Sequence, residues 1–194
     1  GLQIGESLFL NEPFEIPATT LIENVALIDG TGTPQRNASV RIEGDRILDI
    51  GNLTPFKNEH VINGNGKVLA PGFIDTHSHV DRELNNTPNA LAAISQGITT
   101  IVVGQDGESD AIDSIKLWCK TIPKSVNIAT YTGHATIREQ VMGVENLKRP
   151  ATQNEIDAIN KILADELAKG SLGLSTGLEY EGGFYSSRDE VIQL

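Results

Sequence analysis

The nine residues Pro71-Gly72-Phe73-Ile74-Asp75-Thr76-His77-Ser78-His79 concentrate more chemically capable side chains than any comparable stretch of the sequence. Phe73 and Ile74 lead out of a Pro-Gly turn and read as the start of a buried strand. Alternate residues of a strand share one face, so Asp75, His77 and His79 are expected on the same side. Two imidazoles at that spacing can each give a ring nitrogen to one divalent ion. Taken alone, a His-X-His pair is as well explained by two hydrogen-bonded structural histidines. The strand setting and the polar residues that follow favour a metal site.

Three further segments offer partners for it. Val103-Gly104-Gln105-Asp106-Gly107 closes the next apolar run and sets Asp106 at the rim beside the histidines. A carboxylate there could ligate one ion or bridge two, or face solvent in an Asp-Gly turn. Tyr131-Thr132-Gly133-His134 closes a third run; His134 is open to a substrate contact, support of a ligand, direct ligation or a structural role. Arg138, with a planar fork that matches two oxygens, is a candidate carboxylate clamp or one half of a surface ion pair. After the fourth run, Glu179, Tyr180 and Tyr185 could line a pocket or pack a glycine-rich loop. Trp118 and Cys119 sit at core spacing on a helix, and His60 is expected at the surface; none of these is assigned chemistry.

The elements that must position these residues fall into two textures. Residues 1–19, with Pro13 and Pro17, read as a surface arm. From 20 to 70 the pattern is short strands and tight turns, with Glu43-Gly44-Asp45 as the turn of a hairpin. So small an all-β unit is expected to complete a sheet with strands from elsewhere. From Pro71 onward strands alternate with helices. Thr87-Pro88 is expected to open a helix that stops at Gly97. Residues 98–103 form the next strand. Ser109 is expected to cap a helix through Ile112, Ile115 and Trp118 that ends near Pro123. Residues 126–131 and 171–178 read as the third and fourth strands. Between them Thr152 and Glu155 form a capping box, and its helix carries Ile156, Ile159, Leu163 and Leu167 to a stop at Gly170. Ser187 caps a last helix.

Strands alternating with helices imply parallel pairing, in an open sheet or as part of a (β/α) barrel. No glycine-rich phosphate loop follows the first strand, which disfavours a nucleotide-binding fold. Polar residues at the C-terminal ends of successive strands match a barrel active site.

Bulk properties exclude several function classes. The chain has 194 residues, 39% of them hydrophobic, and a formal net charge of −11. That charge argues against a nucleic-acid partner, whose phosphates demand Lys and Arg. A single cysteine, Cys119, precludes an internal disulfide. The apolar runs are too short to span a bilayer, and the first ten residues lack the pattern of a signal peptide. The cytoplasm is the expected compartment, with the periplasm or secretion left open because the natural N-terminus is not visible.

With these residues in view, the chain resembles the N-terminal part of an amidohydrolase-superfamily enzyme, in the D-aminoacylase (N-acyl-D-amino-acid deacylase) branch. Leu21-Ile22-Glu23-Asn24 with Ile28-Asp29-Gly30-Thr31-Gly32, and the Pro71 to His79 stretch, mark the superfamily. The branch is marked by Gly133-His134-Ala135-Thr136-Ile137-Arg138 with Val141-Met142-Gly143, and by Gly173-Leu174-Ser175-Thr176-Gly177-Leu178-Glu179-Tyr180. The run from Gly97 to Gly104 matches as well.

The resemblance implies an α/β fold: a (β/α)8 TIM-type barrel, its first half at 71–194, preceded by part of a small β-sandwich at 20–70. It implies zinc held by His77 and His79; Asp106 as a further ligand of one or two ions, and His134, Arg138, Glu179 and Tyr180 near the substrate, are expected from their places at the strand ends. The implied reaction is hydrolysis of a small N-acylated D-amino acid by metal-bound water, with the proton-shuttling acid beyond residue 194. Many relatives bridge two ions with a carboxylated lysine on the fourth strand, which has no lysine here. This branch uses a cysteine instead, and Asp106 stands at its position; a carboxylate is a harder ligand. A barrel of this kind needs about 250 residues, more than follow Ala70. The chain is therefore expected to need a missing C-terminal half or self-association. Two alternatives accompany this reading: hydrolysis of a cyclic amide or dipeptide at the same site, and an inactive fragment that associates with other chains.

Overall fold

The computed structural model describes residues 19–121 and 124–194. The expected arm with Pro13 and Pro17, and the helix stop at Pro123, lie outside the described residues. The chain divides into two compact units between Pro71 and Gly72.

The first unit is a sheet built around one long strand. β1 (Thr19–Leu27) pairs antiparallel with β2 (Arg36–Glu43), which pairs antiparallel with β3 (Arg46–Gly51) across the expected Glu43-Gly44-Asp45 turn. On its other side β1 pairs parallel with β4 (His60–Asn63) and, further along, with β5 (Val68–Leu69). β1 is thus continuous where the sequence shows two apolar runs; a bulge at Asn24, with φ of 54°, separates them. Leu21, Val25, Ala26, Leu27 and Val40 are buried. Arg41 is buried too, donating from Nε to Glu59 Oε1 at 2.7 Å and from a terminal nitrogen to Glu59 Oε2 at 3.0 Å. Glu59 also accepts from Phe56 N and Thr19 Oγ1, and Arg41 lies 3.7 Å above the Phe56 ring. Hydrogen bonding to Arg41 outweighs desolvation and lowers the Glu59 carboxyl to about 2. His60 is exposed, as expected of a surface residue.

The second unit carries the alternating elements. β6 (Phe73–Asp75) is followed by a 3-10 turn at Val80–Glu83, α1 (Leu91–Ile94), β7 (Ile98–Val103) and α2 (Ile112–Thr121). β8 (Asn127–Thr130) and β9 (Thr132–Gly133) are two halves of one extended stretch, followed by α3 (His134–Met142). A 3-10 turn at Val144–Asn146 leads to α4 (Gln153–Lys169), β10 (Leu174–Ser175), α5 (Glu181–Phe184) and α6 (Arg188–Gln193). β6, β7 and β8 pair parallel in that order, and β10 pairs parallel with β9. Ile101 and Val103 of β7 pack with Leu84, Ala90, Ala93 and Val126, while Ile159 and Leu163 of α4 pack on Ile137 of α3.

Several boundaries differ from expectation for local reasons. Phe73 and Ile74 are more than 60% exposed, not buried, because β6 pairs on one side only and nothing among the described residues covers it. The helix expected from Thr87 starts at Leu91: the Thr87 hydroxyl turns back to Glu83 O, and Ala90 has φ of 45°. Ser109 does not cap α2. The backbone N–H of Ile112 donates instead to the buried Glu166 carboxylate of α4 at 2.7 Å, while Ser109 Oγ accepts from Gly133 N. The fourth strand is only two residues long, matching the length of its single partner β9. The Thr152–Glu155 capping box, the left-handed Gly170 stop and the Ser187 cap form as read from the sequence. No helix among the described residues is long and apolar enough to cross a membrane.

Candidate metal centre

β6 ends at Asp75, but the alternation of its side chains continues beyond it. Ser78 is buried and its N–H donates to Val102 O at 3.0 Å, which leaves His77 and His79 on the open side. Asp75 accepts from His77 N at 3.2 Å, so its carboxylate braces its own chain.

The loop after β7 delivers Asp106 to the same place. Asp106 has φ of 59° and follows Gly104 with φ of 76°. A Cβ on Gly104 would sit 2.5 Å from Tyr131 O, so this turn requires glycine on both steric and conformational grounds. On the far side the backbone of Gly177 packs so closely on Asp106 O that a Cβ there would collide with it. Gln105 ties the two loops together: its buried amide donates to Thr76 O at 3.0 Å and to Val102 O at 3.1 Å. Gly107 N donates to Ser175 Oγ of β10 at 3.1 Å.

The result is a convergence of three donors. His79 Nε2 lies 3.1 Å from Asp106 Oδ2, and His77 Nε2 lies 3.6 Å from Asp106 Oδ1. The imidazole centroids are 5.4 Å apart, edge to face. Among the described residues this is the grouping of three His, Cys, Asp or Glu whose ligand atoms could share an ion, all lying within 4.8 Å of one another. An ion with bonds of about 2.1 Å at tetrahedral angles holds its ligand atoms roughly 3.4 Å apart; the two separations, each to a different Asp106 oxygen, lie near that value. Two imidazoles and a carboxylate suit a borderline divalent cation. The residues fit the group.

Beside them a hollow of about 230 Å³ is lined by His79, Arg82, Asp106, Glu108 and Tyr180. It adjoins a cleft of about 630 Å³ that Arg82, Asp106, Glu108 and Tyr180 also line. Tyr180 is thus near the donors, and Glu179 is exposed on the same loop.

His134 and Arg138 lie elsewhere. Both are fully buried and both turn onto Glu190 of α6: His134 Nε2 is 3.0 Å and Arg138 Nε 2.6 Å from Glu190 Oε1. Arg138 spends its other nitrogens on the carbonyls of Gly182, Arg149 and Leu147. Neither side chain is exposed to a substrate in this arrangement, because Glu190 supplies the carboxylate that Arg138 was expected to clamp. Burial pushes the Glu190 carboxyl up, but hydrogen bonds from His134 and Arg138 and the Arg138 charge leave it below its ordinary value. His134 Nδ1 is buried with no partner among the described residues. Glu190, Gln105 and Arg82 escaped the sequence reading. The long-range partners of Gln105 and Glu190 lie 29 to 56 residues away in the chain, and Arg82 is marked only by the cleft wall it occupies. Trp118 is half-buried and donates to Asn85, and Cys119 is exposed.

Residues 60–190 match the family model described as the amidohydrolase family. The chain belongs to the amidohydrolase family. Among its relatives in that family is the D-aminoacylase of Alcaligenes xylosoxydans xylosoxydans, 32% identical over 95% of this chain and 42% of the relative. A solved structure of a D-aminoacylase, concerned with the functional role of its binuclear metal centre, superimposes with a TM-score of 0.81. It is 33% identical and covers 90% of this chain and 41% of the other. The N-acyl-D-glutamate deacylase of Bordetella bronchiseptica, solved with zinc and a phosphonate that mimics its tetrahedral intermediate, gives a TM-score of 0.84. It is 30% identical over 92% of this chain and 42% of the other. The chain thus spans about two-fifths of the length of these amidohydrolases, and its α/β architecture is theirs over that span.

Proposed function

We propose that this chain contributes the first part of the metal site of an amide hydrolase that deacylates N-acyl-D-amino acids, releasing a D-amino acid and a carboxylate. The observation that carries the proposal is the meeting of His77, His79 and Asp106 at the C-terminal ends of two adjacent parallel strands. Catalytic residues of (β/α)8 barrels collect at that end. The likeness to D-aminoacylases and to an N-acyl-D-glutamate deacylase supports the substrate class.

In this reading residues 72–194 form the first four strand positions of a (β/α)8 barrel, and residues 20–70 form part of a small β-sandwich. The open side of β6, where Phe73 and Ile74 are exposed, is where a further strand of the intact protein would pair.

His77 and His79 would hold zinc through their ring nitrogens. A divalent ion at such a site polarises the acyl carbonyl and lowers the pKa of water. Asp106 turns one oxygen towards each histidine, an arrangement suited either to gripping one ion or to spanning two. Gln105 ties the two loops together, and Tyr180 lines one side of the hollow. The acid that moves the proton to the leaving amine is assigned to a later part of the intact protein.

The test is hydrolysis of N-acetyl-D- against N-acetyl-L-amino acids by the intact protein with zinc added. The expected result is turnover of the D series, faster than the L series by at least about 10-fold. Equal rates would remove the stereochemical claim, and no amide hydrolysis by the zinc-loaded protein would remove the function.

A further inference from the structure

We infer that the buried cluster of His134, Arg138 and Glu190 positions Asp106 for the metal, by tying down both backbone walls between which the Asp106-Gly107 segment is held; this rests on the metal-site reading above. The first wall is the start of α3. Thr136 N donates to Gly107 O at 3.2 Å, and Gly133 lies so close to Gly107 and Glu108 that a Cβ there would strike their backbone. The second wall is the turn after β10. Gly177 packs on Asp106 O, and a Cβ on Gly107 would sit 3.0 Å from Gly177 N. This turn is closed on itself: Tyr180 N donates to Gly177 O at 3.1 Å, and Gly183 N to Tyr180 O at 3.0 Å.

Both walls lead to one carboxylate. His134 is the first residue of α3, and its Nε2 lies 3.0 Å from Glu190 Oε1. Arg138, one turn further along α3, donates from Nε to the same oxygen and from a terminal nitrogen to Gly182 O of the second wall at 2.9 Å. Gly182 also lies so close to Ala135 that a Cβ there would be 2.6 Å from the Ala135 methyl. His134, Arg138 and Glu190 are fully buried, and in a low-dielectric interior a connected network of this kind is rigid and costly to break. The planar fork of Arg138 serves Glu190 and Gly182 at once, which the single nitrogen of a lysine could not do. None of the three belongs to the donor trio. They are positioning residues that act on Asp106 through the backbone on either side of it.

The experiment measures zinc affinity of the intact protein by competition with a chromophoric chelator, and its stability by denaturant titration with and without zinc. Arg138→Lys keeps a cation beside Glu190 but gives up Gly182 O, and His134→Ala frees the first wall. Each should bind zinc about 10-fold more weakly, the lower end for residues that support metal ligands. His134→Gln, whose amide nitrogen can stand in for Nε2, should recover most of the loss. By linkage, a positioning role makes each substitution more destabilising with zinc than without, whereas a merely structural role destabilises both forms equally. Ile159→Val loosens the packing of α4 on α3 without removing any of these hydrogen bonds and should leave zinc affinity unchanged. Unchanged zinc affinity in whichever of Arg138→Lys and His134→Ala folds overturns the inference, as does an equal loss of affinity in Ile159→Val. If the unmodified protein binds no zinc, the metal-site reading itself fails and takes this inference with it. Zinc binding without amide hydrolysis removes the deacylase reading and leaves the positioning role to be decided by the affinities.

Discussion

Nε2 of His79 lies 3.1 Å from Oδ2 of Asp106, across 27 residues of sequence and between the ends of two neighbouring parallel strands. Nothing local brings them together. Parallel pairing of β6 with β7 does, with the Gln105 amide spanning the two loops.

Removing a member of this trio should empty it. In the intact protein, the His77→Ala/His79→Ala double variant and Asp106→Asn are expected to bind zinc more than about 100-fold more weakly. Support residues around metal sites alone are worth 10- to 100-fold. Zinc content after dialysis is the readout; full retention in the double variant would show that the site lies elsewhere.

Gly177→Ala should disturb the same site from behind. The added methyl collides with Asp106 O, and relieving it requires a backbone shift costing about 1–3 kcal/mol. Stability should fall by that amount and zinc affinity should fall with it. A variant that loses stability but binds zinc normally would separate the Gly177 loop from the metal ligand.

Glu190→Ala tests the buried network. It strips His134 and Arg138 of their shared acceptor while leaving the Arg138 charge buried, a change that costs about 3–5 kcal/mol. Denaturant titration of the intact protein measures it, and a loss below about 1 kcal/mol would mean that the site relaxes or admits water.

Acid should weaken both units. Arg41 holds the Glu59 carboxyl down to about 2, and Arg149 with the Thr152 backbone holds Glu155 down to about 2. Glu190 is lowered as well. Each starts from an ordinary value of 4.5 in the unfolded chain. A carboxyl lowered by folding contributes fully above its unfolded value and loses that contribution as pH falls towards its folded one. Stability should therefore be flat above pH 5 and decline between 4.5 and 2, as read by denaturant midpoints. Arg149→Ala should make the decline shallower. A midpoint independent of pH across that window would contradict the assignment.

What could be read from the sequence was what depends on period and local caps. Strand alternation put His77 and His79 on one side, and the rule that polar residues gather at strand ends put Asp106 beside them. Thr152 and Glu155 announced their helix because both halves of the cap lie within one turn. Arg138 was illegible because its environment is set by Glu190, 52 residues on. Ser109 misled for the same reason: the cap of α2 comes from Glu166, 54 residues away from Ile112. Phe73 and Ile74 read as buried because apolar runs say what a strand prefers, not which neighbours are present to cover it.

β1 has a consequence for how the first unit comes apart. Every other strand there except β3 pairs with β1 directly, and β3 is attached only through β2. If β1 detaches, β4 and β5 lose their described sheet partner and β2–β3 is left as a lone hairpin, which is at best marginally stable in water. Local fraying therefore has no intermediate stopping point. The amides of β1 should exchange with solvent only when the whole sheet opens, making this unit a single cooperative element in hydrogen exchange.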